Sequence, residues 1–157
     1  MQEVELAEVQ HRLAPQAALK GEVELLQRLH SRQLRIPVSV NVAVEQLRRG
    51  DLPALVAAEL KESGIDPTLL CLEITETSFL QNVTTDLDQL AELRRLGVHL
   101  AIDDFGTGYS SLAYLQNLPV DRLKIDISFV RRVARDVRAR HLVNAIIGMA
   151  HALSLDV

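Results

Sequence analysis

The chain has 157 residues, 48% of them hydrophobic and 24% charged, with a net charge of -4 and few aromatics, so it suits one soluble domain with an aliphatic core. Acidic and basic residues are interspersed, which argues against a long groove for polymeric nucleic acid. A single cysteine, Cys71, excludes an internal disulfide framework, "MQEVELAEVQ" lacks the apolar core of a secretory signal, and no apolar run approaches the roughly 20 residues of a membrane span.

In chain order, residues 1–20 are expected to form an N-terminal helical segment of uncertain assignment. Val23, Leu26 and Leu29 mark a short helix ending near "HSRQLRIP". "VSVNV" (38–42) reads as a first strand, and a helix over 53–63 follows Gly50-Asp51 and stops at Gly64. "LLCLEI" (69–74) reads as a second strand, with Cys71 as an inert core thiol. Thr77 and Ser78 are helix-capping candidates, and a helix over 86–96 is expected between Thr84-Thr85 and Gly97. "VHLAID" (98–103) and "RLKID" (122–126) read as third and fourth strands. "RRVARDVRAR" (131–140) is expected to be a solvated loop or helix start rather than a nucleic-acid patch. Leu142, Val143, Ile146, Ile147, Ala150 and Leu153 then give a helical stripe over 138–153, and "LSLDV" resembles the beginning of another strand.

Strands alternating with helices imply an α/β fold with right-handed crossovers and a parallel sheet. The near-continuous apolar strands predict that both faces of the sheet are covered. Either an open doubly wound sheet or part of a (β/α)8 barrel fits, since a full barrel needs about 250 residues.

Polar residues fall near the carboxyl ends of all four strands: Asn41, then Glu73 with Glu76 beyond it, then Asp103 and Asp104, then Lys124 and Asp126. In parallel α/β folds those ends share one side of the molecule, where ligands bind. Two carboxylates about 5 Å apart repel by roughly 3 kcal/mol at an effective dielectric near 20, so a convergent set needs a cation. Oxygen donors suit Mg²⁺ or Mn²⁺, and the histidines, at 11, 30, 99, 141 and 151, show no ligand spacing. Successive strand residues point to opposite faces, so Asp103 and Asp104 cannot both face inward unless the chain leaves strand geometry at Asp104. Gly106-Thr107-Gly108 permits such a departure and reads as a loop carrying one metal ligand. Phe105 and Tyr109, flanking those glycines, are expected to pack the loop rather than stack on a base.

"DDFGTGYSSL", "LEITE", "LPVDRLKID" and "NV" before "QL" together resemble the EAL domain, the bacterial cyclic di-GMP phosphodiesterase, over residues from about 21 to 157. The resemblance implies a (β/α)8 barrel of the TIM type that hydrolyses cyclic di-GMP to linear pGpG with one or two divalent ions, Mg²⁺ or Mn²⁺. It implies Asn41, Glu73, Asp103 and Asp104 as metal ligands and Lys124 as the group acting on the nucleophilic water. It further implies that Glu76 anchors the loop of Phe105, Gly106, Thr107 and Gly108, that Asp126 lies toward the substrate, and that two copies pair through the domain in the cytoplasm.

The family's Glu-x-Leu segment and its strand 7 and 8 motifs find no match in this sequence. Ala43 stands where Ser is usual, and Ile127 where Arg is frequent. The sequence therefore resembles strands three to six of the eight, an incomplete domain expected to be nearly inactive alone. The alternatives are a non-catalytic module that senses cyclic di-GMP or docks a protein, and an unrelated barrel hydrolase.

Overall fold

The computed structural model of the chain describes residues 15–76, 83–108 and 115–157. Its elements are α1 (Pro15–Ser31), β1 (Val38–Val42), α2 (Val44–Arg49), α3 (Leu52–Ser63), β2 (Leu70–Thr75), α4 (Val83–Arg95), β3 (His99–Phe105), β4 (Arg122–Ile125), α5 (Ile127–Val130) and α6 (Val137–Ala152). The four strands form one sheet in the order β1-β2-β3-β4, every pair parallel. This is the α/β arrangement that the alternating pattern predicts. Thr77, Ser78 and Tyr109, and most of the first 15 residues, lie outside the described residues.

One aliphatic core lies between the sheet and the helices. Val40, Leu72, Ile74, Leu100, Ile102 and Leu123 meet Val23 and Leu26 of α1, Val56 of α3, Leu90 and Leu93 of α4, and Ile146 of α6. Burying each such side chain contributes about 1.5–3 kcal/mol.

The opposite face of the sheet is a different surface, more polar than the first, although β2 is buried on both faces as its apolar run predicts. β1 alternates buried and exposed, because Ser39 and Asn41 point away from the core. Cys71 and Ala101 are buried on that second face but stand outside the aliphatic cluster. Register puts Ser39 beside Cys71 and His99, and Asn41 beside Glu73 and Ala101.

Helix ends follow local chemistry, with two departures from the sequence pattern. Gly50 and Gly64 close α2 and α3 with left-handed backbones. Asp136 caps α6 by accepting from the Arg138 and Ala139 amides, which resolves the basic run as a loop and a helix start. The buried stripe of α6 is Ala139, Val143, Ile146 and Ala150; Leu142 is exposed, so the stripe is rotated from the expected one. Thr84 and Thr85 lie inside α4 rather than ahead of it. "LSLDV" begins to extend the sheet: Leu123 N–H donates to Asp156 O at 2.8 Å, in a parallel bridge with Arg122.

β3 carries an extra residue. Ile102 pairs with Leu123 and Phe105 with Ile125, so three steps on β3 match two on β4. The surplus falls at Asp104, whose φ is +55. This bulge separates the adjacent acids as their alternation requires: Asp103 faces the polar side, Asp104 is exposed in the left-handed region, and Phe105 turns into the core.

Candidate functional site

The polar face comes to a focus at the carboxyl-terminal halves of β2, β3 and β4. Lys124 Nζ donates to Glu73 Oε2 at 2.6 Å and lies 3.3 Å from Asp103 Oδ2. Glu73 is buried, with 8% of its side chain exposed, while Asp103 retains 20% and Lys124 34%. Each comes from a different strand, and sheet register alone brings them together. Burial disfavours the Lys124 ammonium, yet the Glu73 hydrogen bond and the charges of Glu73 and Asp103 outweigh it and hold the pKa above the usual lysine value. Cys71 shares this face two residues before Glu73; burial first, then the Glu73 charge, push its thiol up.

Asp103 also fixes the bulge, since its Oδ1 accepts from the Asp104 N–H at 3.0 Å. Asn41 occupies the register position beside Glu73 on the neighbouring strand. Its amide, Glu73 and Asp103 together present oxygen donors that suit a hard divalent ion. Among the described residues, no three His, Cys, Asp or Glu side chains converge closely enough to hold a metal ion. The cation found between the two carboxylates is the Lys124 ammonium.

Glu76 lies just beyond β2 and is 2% exposed. Its Oε2 accepts from the Gly106 N–H at 2.8 Å and from the Gly108 N–H at 3.1 Å, joining the end of β2 to the loop after β3. Gly106 is required here, and Gly108 is closely fitted. A Cβ on Gly106, whose φ is +101, would lie 2.8 Å from Phe129 Cε2; a Cβ on Gly108 would lie 3.0 Å from Glu76 Cδ. Thr107 Oγ1 donates to the Asp104 carbonyl at 2.9 Å and tightens the same turn.

Asp126 is engaged locally. Its Oδ1 accepts from the Ser128 N–H at 2.8 Å and caps α5, and those hydrogen bonds lower its pKa. Phe129, the aromatic ring against Gly106, carried no sequence signal, since the short run Ile127-Ser128-Phe129-Val130 shows no periodicity that singles it out. Asp121 was also missed. It accepts from the Leu100 N–H, pairs with Arg94 at 2.9 Å and lies 3.6 Å from His99. These groups line a cavity of about 250 Å³ with Cys71, Arg122 and Asp156, at the amino ends of the strands. Its charges pair among themselves, so it presents no site like the one at the other end.

Comparison with known proteins bears on this geometry. The profile of the EAL domain family matches residues 1–157. The cyclic di-GMP phosphodiesterase NbdA of Pseudomonas aeruginosa is 44% identical over 123 residues, which is 78% of this chain and 16% of that protein. The signaling protein YkoW of Bacillus subtilis is 38% identical over 128 residues, covering 82% of this chain and 16% of its own. Among solved structures, the EAL domain of Mycobacterium smegmatis DcpA superposes with a TM-score of 0.82 at 38% identity, over 87% of this chain and 62% of that one. The PaMucR phosphodiesterase in its c-di-GMP complex gives 0.81 at 32% identity, over 89% and 61%. The chain thus spans a small part of its curated relatives and under two thirds of these solved chains. No helix among the described residues is long and apolar enough to cross a membrane.

Proposed function

The chain belongs to the EAL domain family, and from that premise we propose that it supplies the central strands of a site that hydrolyses cyclic di-GMP to linear pGpG. What carries this is the meeting of Glu73, Asp103 and Lys124, from three separate strands, on the ligand-binding side of one parallel sheet.

In this proposal Glu73, Asp103 and Asn41 would hold Mg²⁺ or Mn²⁺, and Asp104 would serve a second ion. Bound there, such ions make water nucleophilic near neutral pH and offset charge on the attacked phosphate. Lys124, held as an ammonium, has three donors and no acceptor. It therefore orients the attacking oxygen by donating to it rather than by removing its proton. Water attack forms one new P–O bond, breaks one ester P–O bond to open the ring, and leaves the water's proton on the departing sugar oxygen. Glu76 keeps the Gly106-Gly108 backbone fixed beside the two acids, and Asp126 steadies the start of α5 on the substrate side.

Non-catalytic binding of the same dinucleotide is the second reading, and one observation favours it: the Lys124 ammonium already neutralises the Glu73 and Asp103 carboxylates without an ion. For the 157-residue chain alone we accordingly expect little or no turnover. The test is calorimetry of cyclic di-GMP against the chain with and without Mn²⁺, with chromatography of the same mixtures for pGpG. Binding that needs the ion and is lost in Glu73→Gln supports the hydrolytic site. Ion-independent binding without product supports the binding module, and absence of binding in both conditions defeats both readings.

A further inference from the structure

Lys124 holds the space between Glu73 and Asp103, with Nζ 2.6 Å from one carboxylate and 3.3 Å from the other. An ion shared by those carboxylates would stand about 2.0–2.6 Å from each oxygen. An ammonium in hydrogen-bond contact with both oxygens and an ion in ligand contact with both require the same volume. Like charges in contact also repel. We propose that Lys124 is a built-in competitor of the divalent ion: it neutralises the acidic pair in the ion-free chain and must swing out before an ion enters.

The geometry permits such a movement. Lys124 sits on a flexible four-carbon stem, and a third of its side chain reaches solvent. The buried Glu73 carboxylate has no comparable freedom, so of the two partners the lysine moves. Asp103 is tied to the Asp104 amide through its other oxygen and also stays. Two consequences follow. The apparent affinity for the ion is reduced by the fraction of time the ammonium occupies the pair. Ion entry also releases the amine, so the group assigned to the attacking oxygen becomes available only after an ion is in place. This rests on the ion-binding site proposed above and adds to it an order of events.

The sequence supplies its own controls, because Lys20 and Lys61 are exposed and are the other two lysines in the chain. The intact chain is treated with an amine-selective acylating reagent over a Mg²⁺ titration, and each lysine is quantified by peptide mass spectrometry. Lys124 is expected to react slowly without the ion and about tenfold faster at saturation, the worth of one charged hydrogen bond, with Lys20 and Lys61 unchanged. Calorimetry with Mn²⁺ should show Lys124→Met binding roughly tenfold tighter than the parent. If the ion binds in a Glu73-dependent manner yet leaves Lys124 labelling unchanged or slower, the competition is overturned and the ion site stands. If the parent and Glu73→Gln bind Mn²⁺ alike, the ion site itself fails and takes the competition with it. Because the labelling uses the unaltered chain, a Lys124→Met protein that did not fold would leave the test intact.

Discussion

Glu76 reaches across 32 positions of sequence to accept the Gly108 N–H at 3.1 Å, and the same oxygen accepts the Gly106 N–H at 2.8 Å. One buried carboxylate therefore sets the shape of the loop that follows β3. Glu76→Ala removes the acceptor from two backbone donors, each costing ~1–3 kcal/mol if left unsatisfied. Hydrogen exchange at Gly106 and Gly108 should accelerate sharply, and Glu76→Gln, which keeps one oxygen, should show a smaller change. Unaltered exchange at both glycines in the alanine variant would contradict this role.

Gly106→Ala meets two separate obstacles, a φ of +101 and Phe129 Cε2 at 2.8 Å. A left-handed non-glycine residue costs about 1–2 kcal/mol, and the steric overlap adds to it. Urea unfolding should show a loss above ~1 kcal/mol. Adding Phe129→Ala should recover the steric part and leave the backbone part, so the double variant should be more stable than the sum of its singles.

Ala43→Ser should stabilise the chain. Ala43 is the N-cap of α2 with φ -75 and ψ 147, the extended geometry that a capping side chain needs, and the Gln46 side chain already accepts its N–H at 2.8 Å. The Gln46 N–H already donates to the Ala43 carbonyl at 2.9 Å, so a serine hydroxyl would share that donor and complete the reciprocal pair, for a gain at the low end of capping values, about 0.5 kcal/mol, read as a shift in the urea midpoint.

Much of the fold was legible in the sequence, and particular residues explain what was not. β1 matches the run at 38–42 because Val38, Val40 and Val42 alternate with Ser39 and Asn41. The break at Asp104 follows from two adjacent acids that one strand face cannot hold. The polarity of the second face was hidden by β2, where Cys71 and Glu73 sit among Leu and Ile in a strand buried on both sides. Asp126 illustrates a different obstacle, since an aspartate that caps a short helix is written like one that faces a ligand. Repulsion between Glu73 and Asp103 predicts a cation there from sequence, either a metal ion or Lys124 as the balancing charge; that Lys124 reaches both oxygens depends on side-chain length and rotamer, which spacing does not encode.

Lys124 also makes stability depend on alkaline pH. Burial lowers its pKa, but Glu73 and Asp103 more than compensate, so the folded value lies above the ordinary 10.5. A raised folded pKa gives stability that is complete below the unfolded value and is lost as pH climbs through the folded one. In chelator-treated buffer the parent should therefore lose stability more steeply above pH ~10.4 than Lys124→Met does. Parallel curves for the two proteins would show that the lysine makes no such contribution.

Leu72 lies at the centre of β2 with 0% exposure, within the aliphatic core. Leu72→Ala should cost ~2–5 kcal/mol in chemical unfolding. It should leave the Lys124 labelling pattern of the folded fraction unchanged, since the deleted methyl groups face the helices.

The surplus residue in β3 lets one strand end carry two acids without disturbing the interior. Excising Asp104 would leave Ile102 and Phe105 two steps apart, as Leu123 and Ile125 are, so the Phe105 ring would keep its place in the hydrocarbon interior. What would vanish is the left-handed turn and the carbonyl that Thr107 grips. One lost codon would therefore spare the packing and strike the loop alone, whereas an Asp104→Asn exchange would keep the turn and remove only its charge.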